Sequence, residues 1–366
     1  MEDACWLRIL QVLPDLLQFL LKAPWSSGIF NQYRMSTSTP SPSGQDVQHR
    51  LFERIKDLLP PYQSLVDEVA EVLGISADSV YRRMRGEKLL SLEETLALCV
   101  RFRISLDGLL GPAAGTVAFH YSRLRTSEDF ERYLQGMADL LGMMKAAERG
   151  NIIYGASDVA IFHYFGHAEH AAFKMFYWQQ AVLNLPELQG KKFSPELVSE
   201  RAMELGRRIY DLYYAVPSIE IWTAESSLTA VRQLAYYYDT GLFASRSMAR
   251  QVMEQLRDAL QNVARMAESD SKDAAGKVPF KLYESEIQIG NNTVLAQVND
   301  TRVTYVSHQT FNVMTTFNAD FCEDTEAFLR SLIRRSMLIS GVSERQRMQF
   351  FQRLLAPVEA LLERVG

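Results

Sequence analysis

Leu65-Val66-Asp67-Glu68-Val69-Ala70-Glu71-Val72-Leu73-Gly74-Ile75-Ser76-Ala77-Asp78-Ser79-Val80-Tyr81-Arg82-Arg83-Met84-Arg85-Gly86 is the stretch on which the reading of this chain turns. Val66, Val69 and Leu73 recur at three- and four-residue steps, the spacing of one helix face. Ala70 is small where a second helix has to cross closely. Gly74 stops the first helix, because the chain must pass through a left-handed conformation that a Cβ disfavours. Ile75 plugs the corner, and Ser76 can cap the next helix by accepting an orphan backbone N–H. Val80 and Met84 continue the buried stripe until Gly86 ends the second helix. Two helices joined by such a turn predict a helix-turn-helix.

Working outward, Val47 to Leu59 carries Leu51, Ile55 and Leu58 on one face, a first helix closed by Pro60-Pro61. Ser91-Leu92-Glu93-Glu94 has capping-box spacing and opens a helix through Leu96, Val100 and Phe102. Ile104-Ser105-Leu106-Asp107-Gly108-Leu109-Leu110 follows. Through the succession VAEVLGIS, SVYRRMRGEK, SLEETLALC and RISLDGLL, residues 45–111 resemble the Cro/C1 class of bacterial regulators, also called XRE or lambda-repressor-like. The resemblance implies a bundle of four to five helices whose helix after the turn enters the DNA major groove. It implies base-edge positions at Ala77, Asp78 and Arg82, and phosphate positions at Ser76, Ser79, Arg85 and Lys88. Tyr81 and Arg83 complete the DNA-binding set. Arg83 stands where the class often has an apolar residue, so it either lies along the helix surface or reaches a phosphate. A second departure is Val66, where many members carry a DNA-contacting Gln.

The chemistry agrees with that assignment. An arginine can give guanine O6 and N7 two parallel hydrogen bonds, while neighbouring cations and hydroxyls fix register on the backbone. Residues 45–111 hold nine Lys/Arg against eleven Asp/Glu, and four of the nine lie in 82–88. Binding would therefore rest on that local patch and on pairing two copies.

The rest of the composition sets limits. With 366 residues, 47% hydrophobic and 23% charged, and a net charge of −5, the chain is neither fibrous nor wholly disordered, and it is no general nucleic-acid coat. Cys5, Cys99 and Cys322 form no CxxC pair, as expected of reduced cysteines in the cytoplasm. Residues 1–44 form a leader expected to be disordered at its Ser/Thr/Pro end. The apolar run Trp6–Leu21 is interrupted by Arg8, Pro14 and Asp15, which argues against a membrane span. Either Met35 is the true start or the upstream stretch is an amphipathic tail.

Gly111-Pro112-Ala113-Ala114-Gly115 marks a linker at about 112–116, and 117–366 is expected to be a mainly helical α+β domain with a small antiparallel sheet. Helices are expected at 127–148, 194–214, 226–239, 246–268, 323–338 and 344–364. Short strands are expected at Val117–Tyr121, Ile152–Tyr154, Ile219–Thr223, Tyr283–Ile289, Val294–Val298, Val303–Val306 and Val313–Phe317. Asn291-Asn292 and Asn299-Asp300 supply turn chemistry, so 281–317 reads as an antiparallel meander. A Gly341 stop and a Ser343 cap would pair the last two helices as a hairpin suited to dimerisation.

This part carries no recognisable catalytic motif. GxGxxG, Walker and GxSxG patterns are absent. His163, His167 and His170 have i, i+4, i+7 spacing that could bind zinc or haem if wholly helical. Gly166 interrupts them and 158–165 reads as extended, so a packed or surface histidine cluster is the better reading and no metal or cofactor is assigned. The dense aromatics, among them Phe173, Phe176, Tyr177, Trp178, Tyr213 and Trp222, read as core before pocket. The expectation is thus a cytoplasmic, homodimeric, non-enzymatic DNA-binding transcription regulator. Its C-terminal domain would sense an unidentified small-molecule or protein effector or oligomerise. The alternatives are an enzyme or ligand-binding protein acting through 117–366 with the helix-turn-helix as a targeting module, or a protein-interaction adaptor.

Overall fold

A computed structural model describes residues 43–59, 63–102, 104, 106, 109, 116–308 and 312–366. The expected leader before Ser43, the Pro60-Pro61 stop and most of the linker lie outside the described residues. The chain divides into two compact units, 1–116 and 117–366.

In the first unit, α1 (Gly44–Leu58) opens with a capping box in which Ser43 and Asp46 exchange hydrogen bonds. Helices α2 (Leu65–Leu73), α3 (Ala77–Met84) and α4 (Leu92–Phe102) follow. The turn after α2 is closed by Gly74 at φ 63°, with Gly74 N–H donating to Glu71 O (3.4 Å) and Ile75 N–H to Ala70 O (3.1 Å). That pair of bonds is the Schellman arrangement, which satisfies carbonyls that the helix end leaves orphaned. The end of α3 repeats it around Gly86 at φ 73°, with Gly86 N–H to Arg83 O and Glu87 N–H to Arg82 O, both 2.9 Å. Ser76 accepts from Ser79 N–H, and Ser91 and Glu94 exchange capping-box bonds at 3.0 and 3.1 Å before α4. Leu51, Phe52, Ile55, Val69, Val80, Leu98, Cys99 and Leu109 form the core of this unit. On α4, Leu92, Leu96 and Val100 stand exposed one turn apart.

The second unit is mixed α and β. Its sheet is larger than expected and is not purely antiparallel. Eight strands run in the order β1-β7-β6-β5-β2-β3-β4-β8. They are β1 (His120–Tyr121), β2 (Gly150–Gly155), β3 (Ser218–Trp222), β4 (Phe280–Glu284), β5 (Thr293–Val298), β6 (Thr301–His308), β7 (Asn312–Thr316) and β8 (Met337–Leu338). β2, β3 and β4 are parallel neighbours, and β5, β6, β7 and β1 continue antiparallel from β2. The meander therefore begins at β5, while β4 sits on the far side of β3. Parallel neighbours need long crossovers, and the chain supplies them as helices: α5 (Ser127–Ala146) leads into β2, α6 (Ala168–Tyr177) and α7 (Glu200–Tyr213) join β2 to β3, and α8 (Leu228–Asp239) and α9 (Arg246–Ser269) join β3 to β4.

Side chains alternate across the sheet. Ile152, Tyr154, Trp222, Leu282 and Ala296 join the large core under the helices, while Ile153, Ile221 and Leu295 join Leu329, Leu332 and Cys322 beneath α10 (Ala319–Arg335). The final helix α11 (Glu344–Val365) packs on α8 and α9 and buries Phe350, Leu354, Val358 and Leu361. It forms no hairpin with α10, and its apolar face is used within the chain rather than offered to a second copy. Ser343, at φ 64°, makes no side-chain cap. Pro195 opens a 3-10 turn, and the long helix begins five residues later with Ser199 as its cap. Most of the segment 158–165 expected to be extended is instead a 3-10 turn, Ile161–Gly166, which carries His163 and leads into α6. Among the described residues, no helix is long and apolar enough to cross a membrane.

Candidate functional site

Helix α3 divides its side chains by spacing. Val80 and Met84 face the core, and residues at one-turn steps on the opposite side face outward: Ala77, Tyr81 and the cap residue Arg85 in one row, Asp78 and Arg82 in the next. Ser76 and Lys88 are exposed at either end, and Ser79 is half-buried against Ser76, their hydroxyls 3.0 Å apart. These eight expected residues share one face and its flanks.

Arg83 does not belong with them. It is only 3% exposed, because it lies three residues from Val80 on the inward stripe. Its guanidinium forks onto Glu94 (Nε to Oε2 3.2 Å, NH2 to Oε1 2.6 Å), and NH1 donates to Ser79 O at 3.1 Å. The expectation that Arg83 contacts DNA is corrected: this cation ties α3 to the N-terminus of α4. The guanidinium beside Glu94 holds that carboxyl below its usual range, although burial opposes it.

Gln48, outside the expected set, is a second organising residue. Its buried amide donates to Arg83 O (2.6 Å) and Lys88 O (3.0 Å) and accepts from Leu90 N–H at 2.6 Å. It pins the 83–90 turn to α1 and so fixes where Lys88 emerges. Its signal was present, since Gln48 sits on the same helical stripe as Leu51, Phe52 and Ile55, where a polar side chain needs a reason.

The outward cations are partly countered within the chain. Glu87 lies 2.6 Å from Arg85 Nε and 3.7 Å from Arg82 Nε. Its hydrogen bond with Arg85 lowers the Glu87 carboxyl and raises the Arg85 guanidinium. The pairs are solvent-exposed and therefore weak. A phosphate could exchange with Glu87 at small cost.

The second unit contains a cavity of about 410 Å³ between α5 and the face of β2, β5, β6 and β7. Met137, Leu140, Met144, Phe162, Val294 and Ala296 give it an apolar wall, while Asp158 and Lys174 bring charge to it. Trp178, expected as core, also lines it. Lys174, on α6, is 2% exposed. It donates to Gln233 Oε1 at 2.8 Å and rests 5.0 and 5.4 Å from the Tyr164 and Trp178 ring centres. Burial lowers its proton affinity and Asp158 partly restores it.

The three histidines have separate surroundings. His163 Nε2 meets Glu220 at 3.0 Å and its Nδ1 meets Tyr214 OH at 3.2 Å. Glu220, fully buried on β3, also accepts from Trp222 Nε1 (2.8 Å) and from Tyr213 OH. Burial pushes that carboxyl up, but His163, Lys272 and Tyr213 together bring it below its ordinary value. His170 Nδ1 donates to Val252 O at 3.1 Å, while its Nε2 is buried without a partner. That pattern is a neutral ring, and burial, with Lys174 adding to it, takes its pKa down to about 3. His167 is half-buried at a separate depression near Tyr210 and Asn262. The single helical face that metal binding would require is broken by the 3-10 turn at Ile161–Gly166. Among the described residues, no group of three or more His, Cys, Asp or Glu is placed to hold a metal ion.

Compared with family models, curated proteins and solved structures, the chain finds no match.

Proposed function

We propose that the chain is a sequence-specific DNA-binding transcription regulator of the lambda-repressor-like class, reading duplex DNA with α3 and acting as a homodimer in a bacterial cytoplasm. One observation carries the reading. Ala77, Asp78, Tyr81, Arg82 and Arg85 share the exposed face of a helix that Gly74, Ser76 and the Arg83–Glu94 fork hold in place. Arg82 can address guanine through its two donors, and Asp78 can accept from cytosine N4. Ser76, Ser79, Arg85 and Lys88 address phosphates, aided by the positive end of α3. Ser76 and Ser79 are already bonded to each other, which presets the hydroxyls at that end.

Pairing of two copies would place two such helices about 34–36 Å apart, one turn of duplex. The outward row Leu92, Leu96 and Val100 is apolar surface that pairing would cover. An effector state of 117–366 that changes the spacing of the two heads would change DNA affinity, with coupling of about 1–3 kcal/mol. A ligand-binding role for 117–366 is favoured separately by the cavity beneath α5.

The test compares full-length wild type with two variants on DNA fragments recovered by the protein. Arg82→Ala should cost about 1–3 kcal/mol on the preferred sequence and relax its sequence preference. Arg85→Ala should weaken binding to all sequences and flatten the salt dependence by about one unit. Unchanged affinity and footprint for both would reject the docking.

A further inference from the structure

We infer that the cavity beneath α5 is a receptor site for a compact apolar organic acid, whose carboxylate meets Lys174 and whose hydrocarbon body fills the space between α5 and the sheet. Lys174 is short of partners. An ammonium has three N–H donors. One goes to the neutral amide oxygen of Gln233, and the charge otherwise rests on the faces of Tyr164 and Trp178. Rings and one amide solvate a buried cation poorly compared with an anion in contact.

Asp158 acts on Lys174 through its charge without touching it, and so supplies no anion in contact. Its Oδ1 takes Val159 N–H at 2.8 Å and the Tyr164 hydroxyl at 3.4 Å, and no ion pair joins it to Lys174. Arg132, also on the lining, is already bonded to Asp129. Lys174 is thus the buried cation on the cavity wall without a carboxylate in contact, and the wall around it is chiefly apolar.

The volume, about 410 Å³, lies in the range of small-molecule sites. One ammonium in an apolar chamber suits a single negative charge. A phosphate ester would call for the cluster of N–H donors that phosphate sites present, and Lys174 is not accompanied by one. The opposite choice, a ligand amine, would place like charges together at Lys174. A monocarboxylate with an aliphatic or aromatic body meets both conditions.

The experiment uses the full chain without DNA, so its outcome is independent of the DNA-reading proposal. Calorimetry and thermal melting are run with octanoate and 4-phenylbutyrate, and with octanol and octylamine as matched neutral and cationic probes. The expected result is saturable one-to-one binding of at least one acid, tenfold or more tighter than octanol, with octylamine weaker still. Lys174→Met keeps the side chain's length without its charge and should bring the acid down to the level of octanol. Ala296→Phe, which puts a ring into the cavity, should abolish binding of all four. Wild-type protein that binds neither acid more tightly than octanol overturns the proposal, whether or not the variants fold. So does a folded Lys174→Met protein that keeps the preference for acid, or a folded Ala296→Phe protein that binds unchanged.

Discussion

Glu87 is the residue whose removal should improve the activity proposed here. It lies between Arg82 and Arg85 and occupies both with one carboxylate. Glu87→Gln frees those guanidiniums and removes a charge that repels phosphate. Affinity for DNA should rise about threefold at low salt, as losing one exposed ion pair allows, and the gain should shrink as salt screens it. Anisotropy titrations at two ionic strengths measure this, and a loss of affinity would mean that Glu87 helps to shape the surface. At the same scale, much of the site was legible. Outward positions follow from helical spacing alone, which is why Tyr81, Arg82 and Arg85 emerge together. Arg83 was legible too, because it lies three residues beyond Val80. Its charge drew it to the DNA-facing set, whereas its position on the stripe decides its burial. Its partner, Glu94, is eleven residues away on another helix, and nothing local announces the pair.

Among the elements, the turn between α2 and α3 depends on one backbone conformation. Gly74 sits at φ 63°, and a Cβ there would meet no atom within 4 Å. The cost of Gly74→Ala is therefore conformational rather than steric, about 1–2 kcal/mol, read as a lower melting point of the first unit with its helical signal retained. No change would show that the turn has relaxed to another geometry. The Arg83–Glu94 fork joins α3 to α4 with little exposure of the arginine. Glu94→Ala strands the buried guanidinium and should cost about 2–4 kcal/mol, discounted because Glu94 is partly exposed, whereas Arg83→Met together with Glu94→Leu should recover most of it. Denaturant curves for the single and double variants decide between an ion pair that fixes geometry and one that contributes nothing. The strands show the limit of local reading. Ile152, Ile219 and Val294 announce extended segments, but alternation does not name a strand's neighbours. The parallel trio depends on helical crossovers, one of which includes α6, where His170 and Lys174 are buried along with Ala, Phe and Met, so that no polar face marks a helical period.

Across the whole molecule, acid should act through the interior of the second unit. His170 is neutral when folded, with its pKa taken from an ordinary 6.5 to about 3. The unfolded chain binds this proton more readily, so the stability it contributes is full above pH 6.5 and is lost as pH falls toward 3. The slope from one proton is at most ~1.4 kcal/mol per pH unit. His170→Asn keeps a donor for the Val252 carbonyl without titrating. It should flatten the fall in urea stability between pH 6.5 and 4, and parallel profiles for the two proteins would exclude His170 as a source of it. The cavity belongs to this scale as well. Its lining comes from α5, α6 and the sheet, segments far apart in the chain, so its residues could be read singly as core but not together as a chamber.

The DNA-reading role of α3 is tested most directly by selection of bound duplexes from a random-sequence pool with full-length protein at near-physiological salt. A two-fold-related motif with half-sites about one helical turn apart should be enriched, and it should disappear with Arg82→Ala while Arg83→Met, if folded, retains it. Recovery of no sequence preference by the wild-type protein, or the same motif from Arg82→Ala, would contradict that role.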